Sequence, residues 1–439
     1  MSNNNFWSLS LAFLILPLQF FANQPSAELL NEAPDMDYGS YTLVVEGYDW
    51  GPAASKVILS IGETLSETTS GNYLVSVKRS AEGVEMGEQE AAGERPVIYS
   101  YVSDKNGSRV SEGSYVTLVL FVGPDHVLGS PIKYIFKDGR GANEWINYEL
   151  TVKDSSTDRI WDTETNRILP LLDDFNLKGS YTYKNQTLTY AFFSPRQPKE
   201  NSPLIIWLHG GGEGGTDTSI PLTANKATNY ASEEIQEIMG GAYVLVPQTP
   251  TFWMQSADGN YTRGDRNDIY NETLMGLIKQ FVKDHPDIDQ NRIYVGGCSN
   301  GGYMSLKLLL LYPDYFAAAY ISALAYQASF ISDQQIQSIK DIPIWFVHSK
   351  DDPVTKANET AVPLYQRLKQ AGARKVHFSL YDHVTDITGF YGGDNYRYSG
   401  HWSWIYSHAN TASLDFDGTP VMLDGRPVSI MEWMAAQRK

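Results

Sequence analysis

Cysteine is almost missing from this chain. Cys298 is the only one in 439 residues, so no intrachain disulfide can form. Positive charge is also scarce: 34 Lys and Arg stand against 51 Asp and Glu, a net charge of −17. No cationic surplus is available to meet phosphates, which excludes nucleic acid as a partner. Long apolar runs are confined to Phe6–Phe21 (FWSLSLAFLILPLQFF). No later run approaches the ~18 residues of a membrane helix, so the mature chain is expected to have no span. Internal repeats and low-complexity tracts are absent from the sequence.

Phe6–Phe21 is uncharged and interrupted by Pro17, with small residues at Ala22, Ser26 and Ala27. It reads as a secretory signal over residues 1–27, although Met1–Asn5 lacks the usual Lys or Arg. A signal without disulfides points to a secreted or periplasmic bacterial protein.

The length predicts two or three domains, and 42% hydrophobic residues suffice for a large core. Tyr (28) and Trp (10) are abundant, either as a surface for rings and sugars or as strand and core residues. Residues 36–155 hold about seven strand candidates, among them 41–45, 56–60, 73–77, 97–102, 115–121, 133–136 and 145–152. Turn residues such as Gly51-Pro52, Gly71-Asn72 and Asn106-Gly107 separate them. This pattern predicts an immunoglobulin-like β-sandwich with no catalytic constellation of its own. The polar stretch Lys153–Asp158 marks the expected boundary. Over 156–439 a hairpin (181–193) precedes strands at 203–208, 242–247, 292–297, 315–322, 342–348 and 375–381. Helices at ~267–285, 301–311 and 358–371 alternate with them, which predicts an α/β domain with a mainly parallel sheet.

Ile293–Gly302 (IYVGGCSNGG) runs from a strand through G-x-S-x-G into a helix. That context exposes the Ser299 hydroxyl on a sharp turn and aims free helix N–H groups at it. Cys298 beside it is read as a small apolar residue, not a nucleophile. Serine needs a base, and His401, in the Gly-preceded loop Tyr398–Trp404, is the first candidate; His383 is the second. The base needs a carboxylate, and the strand ending Val347-His348 leads to Asp351-Asp352-Pro353. Asp352 is preferred over Asp351, giving the chain order Ser, Asp, His. His209-Gly210-Gly211-Gly212 follows another strand, and the N–H groups of Gly211 (or Gly212) and Asn300 are assigned to an oxyanion hole. His209 is read as an anchor for that loop. No Gly-Lys-Ser/Thr follows it, which excludes a phosphate-binding P-loop. Trp253 and Trp402, with several rings near His401, are candidates for stacking on a phenolic acyl group or a sugar; packing of a long loop remains equally open. Asp258–Asp265 lacks the glycine and glutamate spacing of a calcium loop and is read as plain surface.

Trp207–Gly212, Gly297–Gly302, Asp352-Pro353-Val354 and Gly400–Trp404 together resemble the α/β-hydrolase superfamily. With Gly47–Pro52 and Lys56–Leu59, the chain is similar to secreted bacterial esterases. Those join an N-terminal immunoglobulin-like domain to a catalytic domain related to prolyl-oligopeptidase-type and feruloyl-esterase-type hydrolases. The resemblance implies serine carboxylesterase activity without metal or cofactor, on a small or polysaccharide-linked (feruloyl or acetyl) ester. Two alternatives stand beside it. A peptidase of the prolyl oligopeptidase class would need a β-propeller, for which ~120 residues are too few. A non-enzymatic cell-surface binding protein would not need the complete Ser, Asp and His set.

Overall fold

In a computed structural model, residues 39–137, 139–196 and 200–439 are described. The segment expected to be an export signal, residues 1–27, lies outside them. Eleven strands build the N-terminal half: β1 (Ser40–Tyr48), β2 (Gly51–Leu65), β3 (Tyr73–Ser80), β4 (Ala92–Glu94), β5 (Val97–Ser103), β6 (Gly113–Leu120), β7 (Ile132–Lys137), β8 (Arg140–Trp145), β9 (Asn147–Asp154), β10 (Ile160–Trp161) and β11 (Thr163–Ile168). They form a five-stranded sheet, β11-β1-β2-β6-β5, a four-stranded sheet, β10-β9-β3-β4, and a separate ribbon, β7-β8. Along β3 burial alternates residue by residue, so Tyr73, Val75 and Val77 face inward. They meet Leu43, Val57, Val116 and Leu118 of the other sheet in one core. This is the expected sandwich.

Two boundaries differ from expectation. Gly51 and Pro52 start β2; the chain reverses at Asp49-Trp50. Lys153–Asp158 is not a domain linker but a hairpin turn. The Asp154 carboxylate accepts from the Ser156 N–H and the Ser156 and Thr157 hydroxyls, which bends the chain so that β10 pairs with β9. β11 then pairs in parallel with β1, and the sandwich ends near Ile168, not at residue 155.

The second half is built on eight strands: β12 (Asn176–Tyr183), β13 (Gln186–Phe193), β14 (Ser202–Leu208), β15 (Tyr243–Gln248), β16 (Ile288–Cys298), β17 (Ala318–Ser322), β18 (Ile344–Ser349) and β19 (Val376–Tyr381). Their order is β12-β13-β15-β14-β16-β17-β18-β19. β12 and β13 are antiparallel; β15 through β19 run parallel. Every residue of β14, β15, β17 and β18 is buried, as a sheet covered on both faces requires. Leu204, Ile206 and Leu208 pack under the helices Asn271–Asp284 and Asn300–Leu311. Ile205 and Trp207 point the other way, into a cluster with Tyr230, Ile405 and Trp433. Burying each such large side chain is worth roughly 1.5–3 kcal/mol. Among the described residues no helix is long and apolar enough to cross a membrane. β14 and β16 are neighbours whose onward connections go to opposite sides, to β15 and β17. Such a split opens a crevice at the carboxyl ends of the two strands, and the loops carrying His209 and Ser299 begin there.

Candidate active site

Ser299 sits between β16 and the helix Asn300–Leu311 with φ 52° and ψ −110°. This is a sparsely populated conformation of the kind that costs about 1–3 kcal/mol and that the surroundings must enforce. The enforcement is visible. Ser299 N–H donates to the Ser322 carbonyl at 3.0 Å. A Cβ at Gly297 would lie 2.6 Å from the Leu208 oxygen and the Gly301 backbone, and one at Gly301 would lie 1.9 Å from the Leu208 oxygen. Both glycines are needed because helix, β16 and β14 meet in near backbone contact.

Behind the serine, β18 delivers a loop and β19 leads to another. His401 Nδ1 lies 2.9 Å from Asp352 Oδ2. Asp352 is held on all sides. It accepts from the Val354 and Thr355 N–H groups at 2.8 and 2.9 Å and from the Thr355 hydroxyl at 2.8 Å. His348 Nε2, fully buried, lies 3.1 Å from the same Oδ2. Burial opposes ionisation of Asp352, but the His348 and His401 hydrogen bonds outweigh it and hold the carboxyl well below the usual range. The second-choice residues pair with each other: His383 Nδ1 is 2.7 Å from Asp351 Oδ2, on the exposed side.

One cleft of about 720 Å³ is lined by Ser299, His401, Gly211, Gly212, Asn300 and Trp402. Asn300 is the first residue of its helix, where N–H groups lack intrahelical partners. Its side-chain oxygen accepts from the Met254 N–H at 3.0 Å, which leaves its Nδ2 3.1 Å from where a Gly211 Cβ would be. His209 anchors the glycine loop as expected. Its Nδ1 donates to the Gly210 carbonyl at 2.6 Å and its Nε2 accepts from the Thr249 N–H at 3.2 Å. Burial pushes the imidazole down to about 4, which keeps it neutral. Cys298 is fully buried with its thiol pushed up by burial, consistent with a packing role.

Trp253 does not belong to the cleft. It is 0% exposed and packs on His209, ring centroids 5.1 Å apart, and on Tyr270. Its position after β15 put it at the right end of the sheet, but its side chain turns inward. The ring that lines the cleft from this segment is Tyr261, stacked on Phe252 at 4.0 Å. Trp402 does line the cleft and stacks on Tyr398.

The sequence reading missed a whole wall. Tyr134 and Asn143, on the β7-β8 ribbon, line the cleft, as do Asp49 and Trp50 at the β1-β2 turn. Asn143 donates to Glu213 Oε1 at 2.9 Å, Arg140 to the Thr251 carbonyl at 2.6 Å, and Trp145 Nε1 to the Ser219 hydroxyl at 2.8 Å. The buried Glu213 carboxyl is pushed up by desolvation, against the Asn143 and Asn225 amides that lower it. The one available signal was Gly47–Pro52, noted for resemblance and not for chemistry.

Residues 40–166 match the family described as esterase Ig-like N-terminal domain, and residues 191–388 match the phospholipase/carboxylesterase family. A solved structure described as a thermostable esterase superposes with a TM-score of 0.69 at 23% identity, covering 91% of this chain and all of that one. The chain has the α/β-hydrolase fold, preceded by an Ig-like domain of the esterase type. It is 27% identical over 207 residues to acyl-protein thioesterase 1 of Debaryomyces hansenii, covering 42% of this chain and 84% of that protein. It is 26% identical over 190 residues to a probable carboxylesterase SOBER1-like of Arabidopsis thaliana, covering 38% and 67%. It is 28% identical over 120 residues to serine carboxypeptidase 3 of Triticum aestivum, covering 26% of this chain. The chain spans only 24–28% of the length of that carboxypeptidase and the two Arabidopsis serine carboxypeptidase-like proteins it matches.

Proposed function

We propose that this hydrolase is a serine carboxylesterase that works through Ser299, His401 and Asp352. The observation that carries the reading is the hydrogen bond between buried Asp352 and His401, which lines one cleft together with Ser299 and a glycine-rich loop. His401 Nε2 takes the Ser299 proton as Oγ attacks the ester carbonyl. The Gly211 and Asn300 N–H groups stabilise the oxyanion. His401 then passes the proton to the departing alcohol, leaving an acyl-serine. Water attacks this ester, His401 accepts its proton and returns it to Ser299, and the carboxylic acid leaves. Asp352 keeps Nδ1 of His401 protonated and stabilises the imidazolium.

The cleft suits a small ester group attached to a larger polar body, such as an acetyl or feruloyl ester of a polysaccharide. The N-terminal apolar segment favours action outside the cytoplasm, where such substrates are met. Ser299→Ala should abolish turnover of 4-nitrophenyl acetate and labelling by a fluorophosphonate probe, while the wild type shows both. Turnover retained by Ser299→Ala would remove the nucleophile assignment. Peptide amides run beside the esters would expose a peptidase.

A further inference from the structure

We propose that a second cavity at the domain junction, which shares a wall with the catalytic cleft, is a subsite for a neutral sugar ring. The ring belongs to the alcohol part of the ester, so the inference rests on the esterase reading and names its substrate class. The cavity measures about 410 Å³, within the ~300–1,000 Å³ of small-ligand sites. The β1-β2 turn supplies Tyr48, Asp49 and Trp50; the hydrolase half supplies Lys226, Phe390 and Tyr391.

Three observations define the ligand. First, rings converge. Trp50 stacks on Tyr48 at 4.8 Å and meets Tyr391 edge-on at 4.9 Å, while Phe390 stands 87% exposed at the rim. Phe390 thus adds an open aromatic face beside the Tyr48, Trp50 and Tyr391 rings of the same cavity. Second, the charges are already matched. Lys226 pairs with Asp49 at 3.1 Å and Lys56 pairs with Glu46 at 3.1 Å, so a charged ligand finds no free counter-charge. Third, the Asp49 side chain is 3% exposed and its Oδ2 has no hydrogen-bond partner. A buried carboxylate oxygen calls for a donor, and a hydroxyl supplies one without adding charge. Aromatic faces suit the C–H face of a pyranose, and the acceptor suits its hydroxyls. Asp49 and Trp50 line this cavity and the cleft alike, so one saccharide can reach from the subsite to an ester at Ser299.

The test compares 4-nitrophenyl acetate with acetylated xylo- and cello-oligosaccharides on the full chain. Phe390→Ala with Tyr391→Ala, at residues that line the outer cavity and not the cleft, should lower kcat/KM on the oligosaccharides about tenfold, through KM. They should leave 4-nitrophenyl acetate within twofold. Phe390→Ala with Tyr391→Phe should recover part of the loss. Tryptophan fluorescence of Ser299→Ala should saturate with xylotriose or cellotriose. An equal loss on both substrate types, or no loss on either, overturns the subsite. A wild type that hydrolyses 4-nitrophenyl acetate but no saccharide ester overturns the subsite alone. A wild type inactive on every ester overturns the esterase reading beneath it.

Discussion

His348 offers a sharp test of how Asp352 is held. Its Nε2 lies 3.1 Å from Asp352 Oδ2 and 2.7 Å from the Thr355 carbonyl, and both side chains are fully buried. Two acceptors at one nitrogen require a proton there, so His348 donates from Nε2. Its Nδ1 is buried and unpartnered, which fits the unprotonated nitrogen. A hydrogen bond to a charged group is worth about 1.5–3 kcal/mol. Asp352 keeps its other donors in His348→Leu, so the loss in kcat/KM has that ceiling, roughly 10–150-fold. His348→Gln, which can place an amide N–H near the old Nε2, should recover much of the rate. The assay is steady-state kcat/KM on 4-nitrophenyl acetate for all three proteins, with melting temperatures alongside. A His348→Leu variant with wild-type rate would refute the reasoning.

Asp352→Asn should cost about 10⁴-fold in kcat, as a wrongly held tautomer does, while Asp351→Asn should stay within a few-fold because Asp351 engages His383; steady-state rates decide between them. Gly301→Ala would press a Cβ to within 1.9 Å of the Leu208 carbonyl, so it should fail to yield soluble protein or lose several kcal/mol in denaturant unfolding. Glu213 has a folded pKa raised above the usual 4.5 by burial. Its contribution to stability is therefore full below 4.5 and is lost as pH rises through the raised folded value. The melting temperature of Glu213→Gln relative to wild type should climb over that window and then level off, as scanning calorimetry at several pH values would show.

Much of the hydrolase half is legible because its determinants are local. Leu204–Leu208 and Ile344–Val347 are apolar throughout and are wholly buried strands. Gly297 and Gly301 flank Ser299 because of a contact that any strand-turn-helix of this kind creates. Other features depend on partners far along the chain. β11 reads TETNRI, with no apolar alternation, and becomes a strand only because β1 offers it an edge. Trp253 and Tyr261 lie eight positions apart, and which one turns toward the cleft is set by His209 and Phe252. Of the β7-β8 ribbon only β7 reads as a strand; β8 lies in a gap between strand candidates, and the ribbon's landing place is fixed by hydrogen bonds to Glu213 and Thr251, 70 and 111 positions away from their partners.

The docking of that ribbon changes what an exchange of parts would achieve. Replacing residues 40–168 with the corresponding stretch of a relative would reshape the entrance to the cleft while Ser299, Asp352 and His401 stay where they are. One wall of the entrance is thereby written in a different half of the polypeptide from Ser299 and His401, and that wall can diversify without moving them.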